Sequence, residues 1–283
     1  MTRLILVLSL FAAAGPGSAA DCGTCHAGMA ESLATTPHAV LHTPENPTVA
    51  CTQCHGAGEA HLMNPFAGGV LTFSKESAPV RNEACGSCHS DAHIAGNSAH
   101  ELAGVACNDC HSVHGAADEA GDSKTLPHAG FKNLDSASAT CVGCHGDILA
   151  QFAFSKHHRL AENSVTCVDC HNPHAEQSTP LTHDLSEAVC VGCHVDISGP
   201  FIFEHDTGMV DGCLACHAAH GSANRHLLNH QAVGDLCFSC HAAMPQFHLG
   251  FAPSGPPRFG GDTVCTNCHV TIHGSNLDSL FLK

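Results

Sequence analysis

One short motif, C-x-x-C-H, contains every cysteine of this 283-residue chain. Its ten copies use all 20 cysteines, and a histidine directly follows the second cysteine in each. The spacing suits haem of the c type, because two nearby thiols form thioethers with the haem vinyl groups and the next residue brings an imidazole to the iron. We therefore predict ten covalently attached haem c groups, one per motif.

The motifs supply two of the predicted sets of site residues. The predicted thioether residues are Cys22, Cys25, Cys51, Cys54, Cys85, Cys88, Cys107, Cys110, Cys141, Cys144, Cys167, Cys170, Cys190, Cys193, Cys213, Cys216, Cys237, Cys240, Cys265 and Cys268. The predicted proximal iron ligands are His26, His55, His89, His111, His145, His171, His194, His217, His241 and His269. A C-x-x-C pair also occurs as half a zinc site or as a redox disulfide, but neither requires the following histidine.

The motifs are grouped in twos, which predicts five two-haem modules at about 22–61, 85–114, 141–174, 190–220 and 237–273. Each module contains a first motif, a middle histidine, a second motif and a trailing histidine. The predicted distal ligands are the middle His38, His100, His158, His205 and His248 and the trailing His61, His114, His174, His220 and His273. The last module is the loosest, since His248 comes only seven residues after His241.

Several alternatives for the distal ligands stay open in the sequence. Seven further histidines exist, of which His157, His183 and His230 compete with the predicted ligands, while His42, His93, His128 and His226 suit surface or propionate hydrogen bonding. Met29, Met63, Met209 and Met244 are also candidate ligands. The spacing does not tell which middle histidine serves which haem. With histidine on both faces, an iron is closed to substrate, so we predict electron transfer and no catalytic residues.

Large apolar side chains are scarce, with no tryptophan, no tyrosine and 13 phenylalanines. Haems must then take the place of a hydrophobic core, because protein interiors are close-packed. Glycine and proline interrupt every segment. We expect a multihaem cytochrome c fold that is mostly coil with short α-helices, little or no sheet, and an elongated row of haems.

Residues 1–20 have the features of a secretory signal peptide, which leaves 21–283 as the cytochrome. Arg3 precedes an apolar run from Leu4 to Ala14, and Ser18-Ala19-Ala20 forms a small-residue cleavage site. An uncleaved anchor is the alternative. The formal charge of −16 excludes nucleic acid and disfavours anionic membrane surfaces.

Several stretches resemble the decahaem cytochromes of the DmsE/MtrA type. They are Cys-His-Asn-Pro-His at 170–174, Phe-Glu-His-Asp at 203–206, Gly-Cys-Leu-Ala-Cys-His-Ala-Ala-His-Gly-Ser at 212–222 and Cys-His-Val-Thr-Ile-His-Gly-Ser-Asn at 268–276. The resemblance covers about residues 21–276. It implies a periplasmic protein with low-spin, bis-histidine haems. The implied partners are an outer-membrane β-barrel porin, an extracellular multihaem cytochrome or reductase, and a periplasmic or inner-membrane cytochrome.

Three functions follow from these observations. The first is an electron conduit inside a porin, the second a free periplasmic shuttle, and the third a multihaem nitrite or sulfite reductase. The reductase is disfavoured, since such enzymes typically mark an open iron with C-x-x-C-K and the chain has no such motif. The preference for the conduit over the shuttle depends on the resemblance alone.

Overall fold

A computed structural model describes residues 22–41, 49–56, 58–66, 68–89, 98–114, 134–174, 188–205, 212–241 and 263–282. The predicted signal peptide and the predicted ligand His248 lie outside these ranges, as do His42, His93, His128 and His183. The chain divides into two compact units. One comprises Met1–Ala92 with Gly104–Ser123, and the other comprises His93–Ala103 with Lys124–Lys283.

Short helices account for most of the regular structure, as the sequence predicts. The α-helices are α1 (Ala27–Leu33), α2 (Val49–His55), α3 (Glu59–Met63), α4 (Ala78–Gly86), α5 (Ala99–Leu102), α6 (Cys107–Cys110), α7 (Ser136–Val142), α8 (Gly146–Gln151) and α9 (Val233–Phe238). Single 3-10 turns occur at Cys22–Thr24, Pro37–Leu41, Phe73–Lys75, Cys167–Asp169, Val195–Ile197, Gly212–Ala215, Arg225–Leu227 and Cys265–Asn267.

Side-chain caps start two of these helices. The Asp135 carboxylate accepts a hydrogen bond from the Ser138 N–H at 2.9 Å and begins α7. The Ser98 hydroxyl accepts one from the Glu101 N–H at 3.1 Å and begins α5. Such caps satisfy backbone N–H groups that have no partner inside the helix.

Over the part of the chain that the structure describes, the sheet content is confined to four two-residue strands. β1 (Lys156–His157) pairs antiparallel with β3 (Gly221–Ser222), and β2 (Phe203–Glu204) pairs antiparallel with β4 (Gly274–Ser275). Both sheets join residues that are far apart in sequence. This confirms the expected fold class, mostly coil with short helices and little sheet.

The protein core is thin over the described residues. Its buried hydrophobic side chains are Leu33, Ala78, Ala106, Leu149 and Leu160. Large apolar side chains such as Met63 and Phe66 are instead 89% and 96% exposed. So few buried side chains agree with the prediction that haem replaces much of the hydrophobic core.

Within the ranges that the structure describes, no helix is both long enough and apolar enough to cross a membrane.

Candidate functional site

Each C-x-x-C-H motif closes one helical turn. In nine motifs the histidine N–H donates to the carbonyl of the first cysteine, with N to O distances of 2.8–3.1 Å. The tenth, Cys51 to His55, lies inside α2. A helical turn places residues three and four positions apart on the same face, so both thiols and the imidazole can reach one ligand. All 20 cysteines are free of disulfides.

Eight pairs of histidine rings face each other with nearly constant separation. Their ring centres are 6.0–6.2 Å apart. The pairs are His26–His61, His38–His89, His55–His114, His100–His145, His158–His194, His171–His220, His205–His241 and His217–His273. Every pair joins one predicted proximal ligand to one predicted distal ligand.

This separation fits an iron held between two imidazoles. Two iron–nitrogen bonds of about 2 Å, with about 1.1 Å from each nitrogen to its ring centre, place the ring centres about 6.2 Å apart. The residues present therefore fit haem with two axial histidines.

The pairs follow a register that crosses module boundaries. A first-motif histidine faces the middle histidine of the preceding module, as His194 faces His158 and His145 faces His100. The same relation holds for His89 with His38 and for His241 with His205. Four of the five modules thus place their middle histidine against the first motif of the next module.

The second motif shows the opposite exchange. Its histidine faces the trailing histidine of the following module, as His171 faces His220 and His217 faces His273. His55 and His114 show the same relation. At these three module boundaries the exchange therefore runs in both directions.

The first motif of the chain departs from this register. Its histidine, His26, faces the trailing histidine of its own module, His61. The predicted ligand roles of the paired histidines stay predictions, as do those of His111, His174, His248 and His269.

The structure distinguishes His158 from its neighbour His157. The ring centre of His158 is 6.2 Å from that of His194. His157 lies in β1, where its Nδ1 donates to the Phe154 carbonyl at 2.6 Å. The geometry therefore favours His158 over His157, and the ligand role of His158 stays a prediction.

Hydrogen bonds to backbone carbonyls orient several of the paired rings. The Nδ1–H of His55 donates to the Leu71 carbonyl at 2.7 Å, and that of His217 donates to the His226 carbonyl at 2.7 Å. His158 donates in the same way to the Ala219 carbonyl. With Nδ1 as the donor, Nε2 carries the free lone pair, which is the form that binds a metal.

Burial shifts two distal candidates towards the neutral form that binds a metal. Burial lowers the pKa of His220, and the nearby His171 and His158 lower it further. Burial also lowers the pKa of His273, with added repulsion from His217 and His205. Desolvation disfavours the charged imidazolium in both cases.

Motifs that follow one another in sequence place their thiols close together, and the cysteines that meet alternate between the first and the second of each motif. Inside a module, the first cysteines of its two motifs are neighbours. Burial, followed by proximity to Cys107, raises the pKa of Cys85 to about 11. The thiol pairs Cys190–Cys213 and Cys237–Cys265 show the same proximity.

Across a module boundary it is the second cysteines that are neighbours. Burial raises the pKa of Cys54, and the nearby Cys88 raises it further. The thiol pairs Cys170–Cys193 and Cys216–Cys240 repeat this contact. Within each compact unit, the attachment points of these neighbouring motifs therefore follow one another in sequence order.

Polar contacts bind the two motifs of a module to each other. In two modules, the side chain three residues before the first cysteine accepts a hydrogen bond from the N–H of the second motif's first cysteine. Asn82 does this for Cys107 at 2.9 Å, and Ser138 does it for Cys167 at 3.3 Å. Sequence reasoning missed these residues, because Asn and Ser share no obvious pattern.

Arg81 adds a second link within its module. Its guanidinium contacts both carboxylate oxygens of Asp109, at 2.7 and 3.3 Å, and the Asn108 side chain at 3.2 Å. Burial raises the pKa of Asp109, but the hydrogen bonds from Arg81 and from the Ala106 N–H outweigh it, so the net pKa is lowered. The pair ties α4 to α6.

Comparison with known proteins agrees with this geometry. The family described as doubled CXXCH motif matches residues 157–199 and 205–246. Each match encloses one complete ring pair, His158–His194 in the first and His205–His241 in the second. The chain is also similar to the multiheme cytochrome MtrA of Shewanella baltica, with 32% identity over 303 residues, covering 92% of this chain and 79% of the relative.

Proposed function

Because this chain belongs to the MtrA-type multihaem c-type cytochromes, we propose that it relays electrons across the periplasm and outer membrane through ten haems. The eight histidine pairs carry this proposal, since their ring separations suit axial coordination at every pair. When bound, haem supplies an iron that exchanges one electron between its ferrous and ferric states.

In this proposal all 20 cysteines anchor haem, and the ten motif histidines are the proximal ligands. The distal ligands are the middle and trailing histidines of the predicted set. The register supports the assignment, because seven of the eight described pairs join adjacent modules in a constant pattern, and the eighth joins His26 to His61 of its own module. The roles of His111, His174, His248 and His269 extend the same ligand set.

The closed coordination argues against an enzyme. The two histidines of each described pair would hold the iron from both faces, which would leave a small substrate no open site on those irons. We infer that the chain transfers electrons without inner-sphere chemistry. Nitrite or dimethyl sulfoxide should not be turned over by the purified chain.

The conduit is preferred over a free shuttle for two reasons. The chain aligns with MtrA over 92% of its length, and the thiols of successive motifs lie next to one another in sequence order within each unit. Such an order suits entry of electrons at one end and exit at the other. In this proposal the partners are an outer-membrane porin, an extracellular cytochrome or reductase, and a periplasmic or inner-membrane cytochrome as the counterpart inside.

Copurification from detergent-solubilised outer membranes tests the conduit. A tagged chain should copurify with a porin at a constant molar ratio of the two proteins. When both proteins are placed in liposomes, electrons should pass from external dithionite to an enclosed dye. Liposomes with the porin alone or the cytochrome alone are the controls. Equal transfer without the porin, or recovery of the chain free of any membrane partner, would favour the shuttle.

A further inference from the structure

The sheet formed by β1 and β3 lies between two histidines of different pairs. β1 ends at His157, so His158 follows it directly, and β3 begins at Gly221, so His220 precedes it directly. His158 faces His194, whereas His220 faces His171. One two-residue strand pair is thus attached to the distal ligands of two irons.

A hydrogen bond ties these two histidines together outside the strands. The Nδ1–H of His158 donates to the carbonyl of Ala219, the residue just before His220. A shift of the segment around His220 therefore moves the group that orients His158.

Helix α8 holds His220 from the other side. The His220 Nδ1–H donates to the Gln151 side-chain oxygen at 3.2 Å, and the Phe152 ring centre lies 5.4 Å from that of His220. α8 begins immediately after His145, another proximal candidate. The distal ring is accordingly fixed by a helix that starts at a neighbouring haem motif.

Gly221 is the contact point between α8 and the sheet. A Cβ atom at this position would lie 2.1 Å from the Gln151 backbone oxygen and 3.2 Å from the Lys156 backbone oxygen. Both obstacles are backbone atoms, so no side-chain rotation can relieve them. The φ angle of Gly221 lies outside the left-handed region, so the requirement for glycine is one of space and not of backbone conformation.

We propose that Gly221 and the β1–β3 sheet form a single positioning device for two irons, one at the end of a module and one at the start of the next. The device keeps His220 and His158 in place together. This inference rests on the proposed bis-histidine ligation and goes beyond it. It predicts that a disturbance at Gly221 removes the distal ligands of both haems next to the module boundary, and not of one alone.

The second sheet repeats the arrangement. β2 ends at Glu204 just before His205, and β4 begins at Gly274 just after His273. His205 faces His241, and His273 faces His217, again on either side of a module boundary. A Cβ at Gly274 would lie 2.1 Å from the Phe201 ring.

Gly221→Ala in the haem-loaded protein tests the inference. Loading is first measured by haem staining of denaturing gels, since the thioethers survive unfolding. The high-spin signal in electron paramagnetic resonance is then calibrated with His220→Ala, which opens one iron, and with the His158→Ala/His220→Ala double variant, which opens two. Gly221→Ala should match the double variant, about twice the signal of His220→Ala.

Gly28→Ala is the matched control, because a Cβ there meets no atom within 4 Å. It should leave the spectrum unchanged. A high-spin signal for Gly221→Ala equal to that of His220→Ala, or none, overturns the inference. If this variant does not accumulate with full haem loading, Gly274→Ala decides by the same comparison, calibrated with His205→Ala and His273→Ala.

The same series separates the two levels of the proposal. High-spin iron in the unaltered protein, or no new signal in His220→Ala, would contradict the bis-histidine ligation itself. A fully low-spin parent with a one-iron response to Gly221→Ala would contradict only the shared positioning device.

Discussion

His158 faces His194 across a ring-centre distance of 6.2 Å, although the two residues belong to different sequence modules. Its neighbour His157 lies in a strand and donates to the Phe154 carbonyl instead. In the proposed ligation, the distal ligand of the haem at Cys190–Cys193 would come from the preceding module. Under that proposal, the module at 190–220 depends on its neighbour to complete the coordination of this haem.

The first prediction concerns this pair of adjacent histidines. His158→Ala should open one iron and give a high-spin signal in electron paramagnetic resonance, because the iron bound by His194 would lose its second histidine ligand. His157→Ala is the matched control and should leave every iron low-spin. A reversed result, with the signal arising in His157→Ala, would contradict the ligand assignment.

The second prediction concerns haem number. The intact mass of the exported protein should correspond to ten haems, because all ten motifs form the same helical turn. Replacing both Cys213 and Cys216 by Ala should remove one haem and leave the other motifs loaded. A parent mass with nine or fewer haems would refute the count.

The third prediction concerns ligand orientation. The ring planes of His38–His89, His100–His145 and His158–His194 cross at 64–74°, whereas the other described pairs lie at 22–37°. Crossed and near-parallel imidazoles split the iron d orbitals differently. Electron paramagnetic resonance should therefore show two classes of low-spin ferric haem. A single class would contradict these ring orientations.

The fourth prediction concerns the cap of α7. Asp135→Ala should lower the free energy of unfolding by about 1 kcal/mol at neutral pH, because the Ser138 N–H loses its acceptor. Burial raises the pKa of Asp135, but its hydrogen bonds with Ser138 outweigh burial and leave it lowered. The carboxylate's contribution is therefore present above the unfolded pKa of about 3.9 and is lost as the pH falls through the lower folded value.

Urea unfolding at several pH values measures this effect. The difference between Asp135→Ala and the parent should shrink below about pH 4. Asp135→Asn keeps an oxygen acceptor and should cost less, with little pH dependence. A penalty that grows as the pH falls would contradict the cap assignment.

The fifth prediction concerns the link between α4 and α6. Arg81→Ala should destabilise the protein by about 0.5–1 kcal/mol, because it removes a two-point contact with Asp109 that is partly exposed to solvent. Arg81→Lys should recover only part of this, since a lysine cannot contact both oxygens in the same plane. Lys75→Ala, at an exposed position, is the control. Equal stability of Arg81→Ala and the parent in urea would contradict the role of this contact.

The amino-acid sequence alone determines the attachment chemistry. Both cysteines and the proximal histidine of a motif lie within five consecutive residues, so a single helical turn brings them together without help from the rest of the chain. The absence of tryptophan and tyrosine and the frequent glycine and proline likewise predict short helices and a thin core, and the structure has both.

Only the tertiary structure decides which distal histidine meets which motif. The partners are far apart in sequence, and their spacing leaves His157 and His158 equivalent. Successive residues near a strand point to opposite sides, so the register of β1 against β3 selects His158. Strands of two residues are too short to show a periodic pattern. The one sequence feature that marks them is the His-Gly-Ser repeated at 220–222 and 273–275. The positions of those rings depend on contacts between residues far apart in the sequence, so a local sequence pattern cannot specify them.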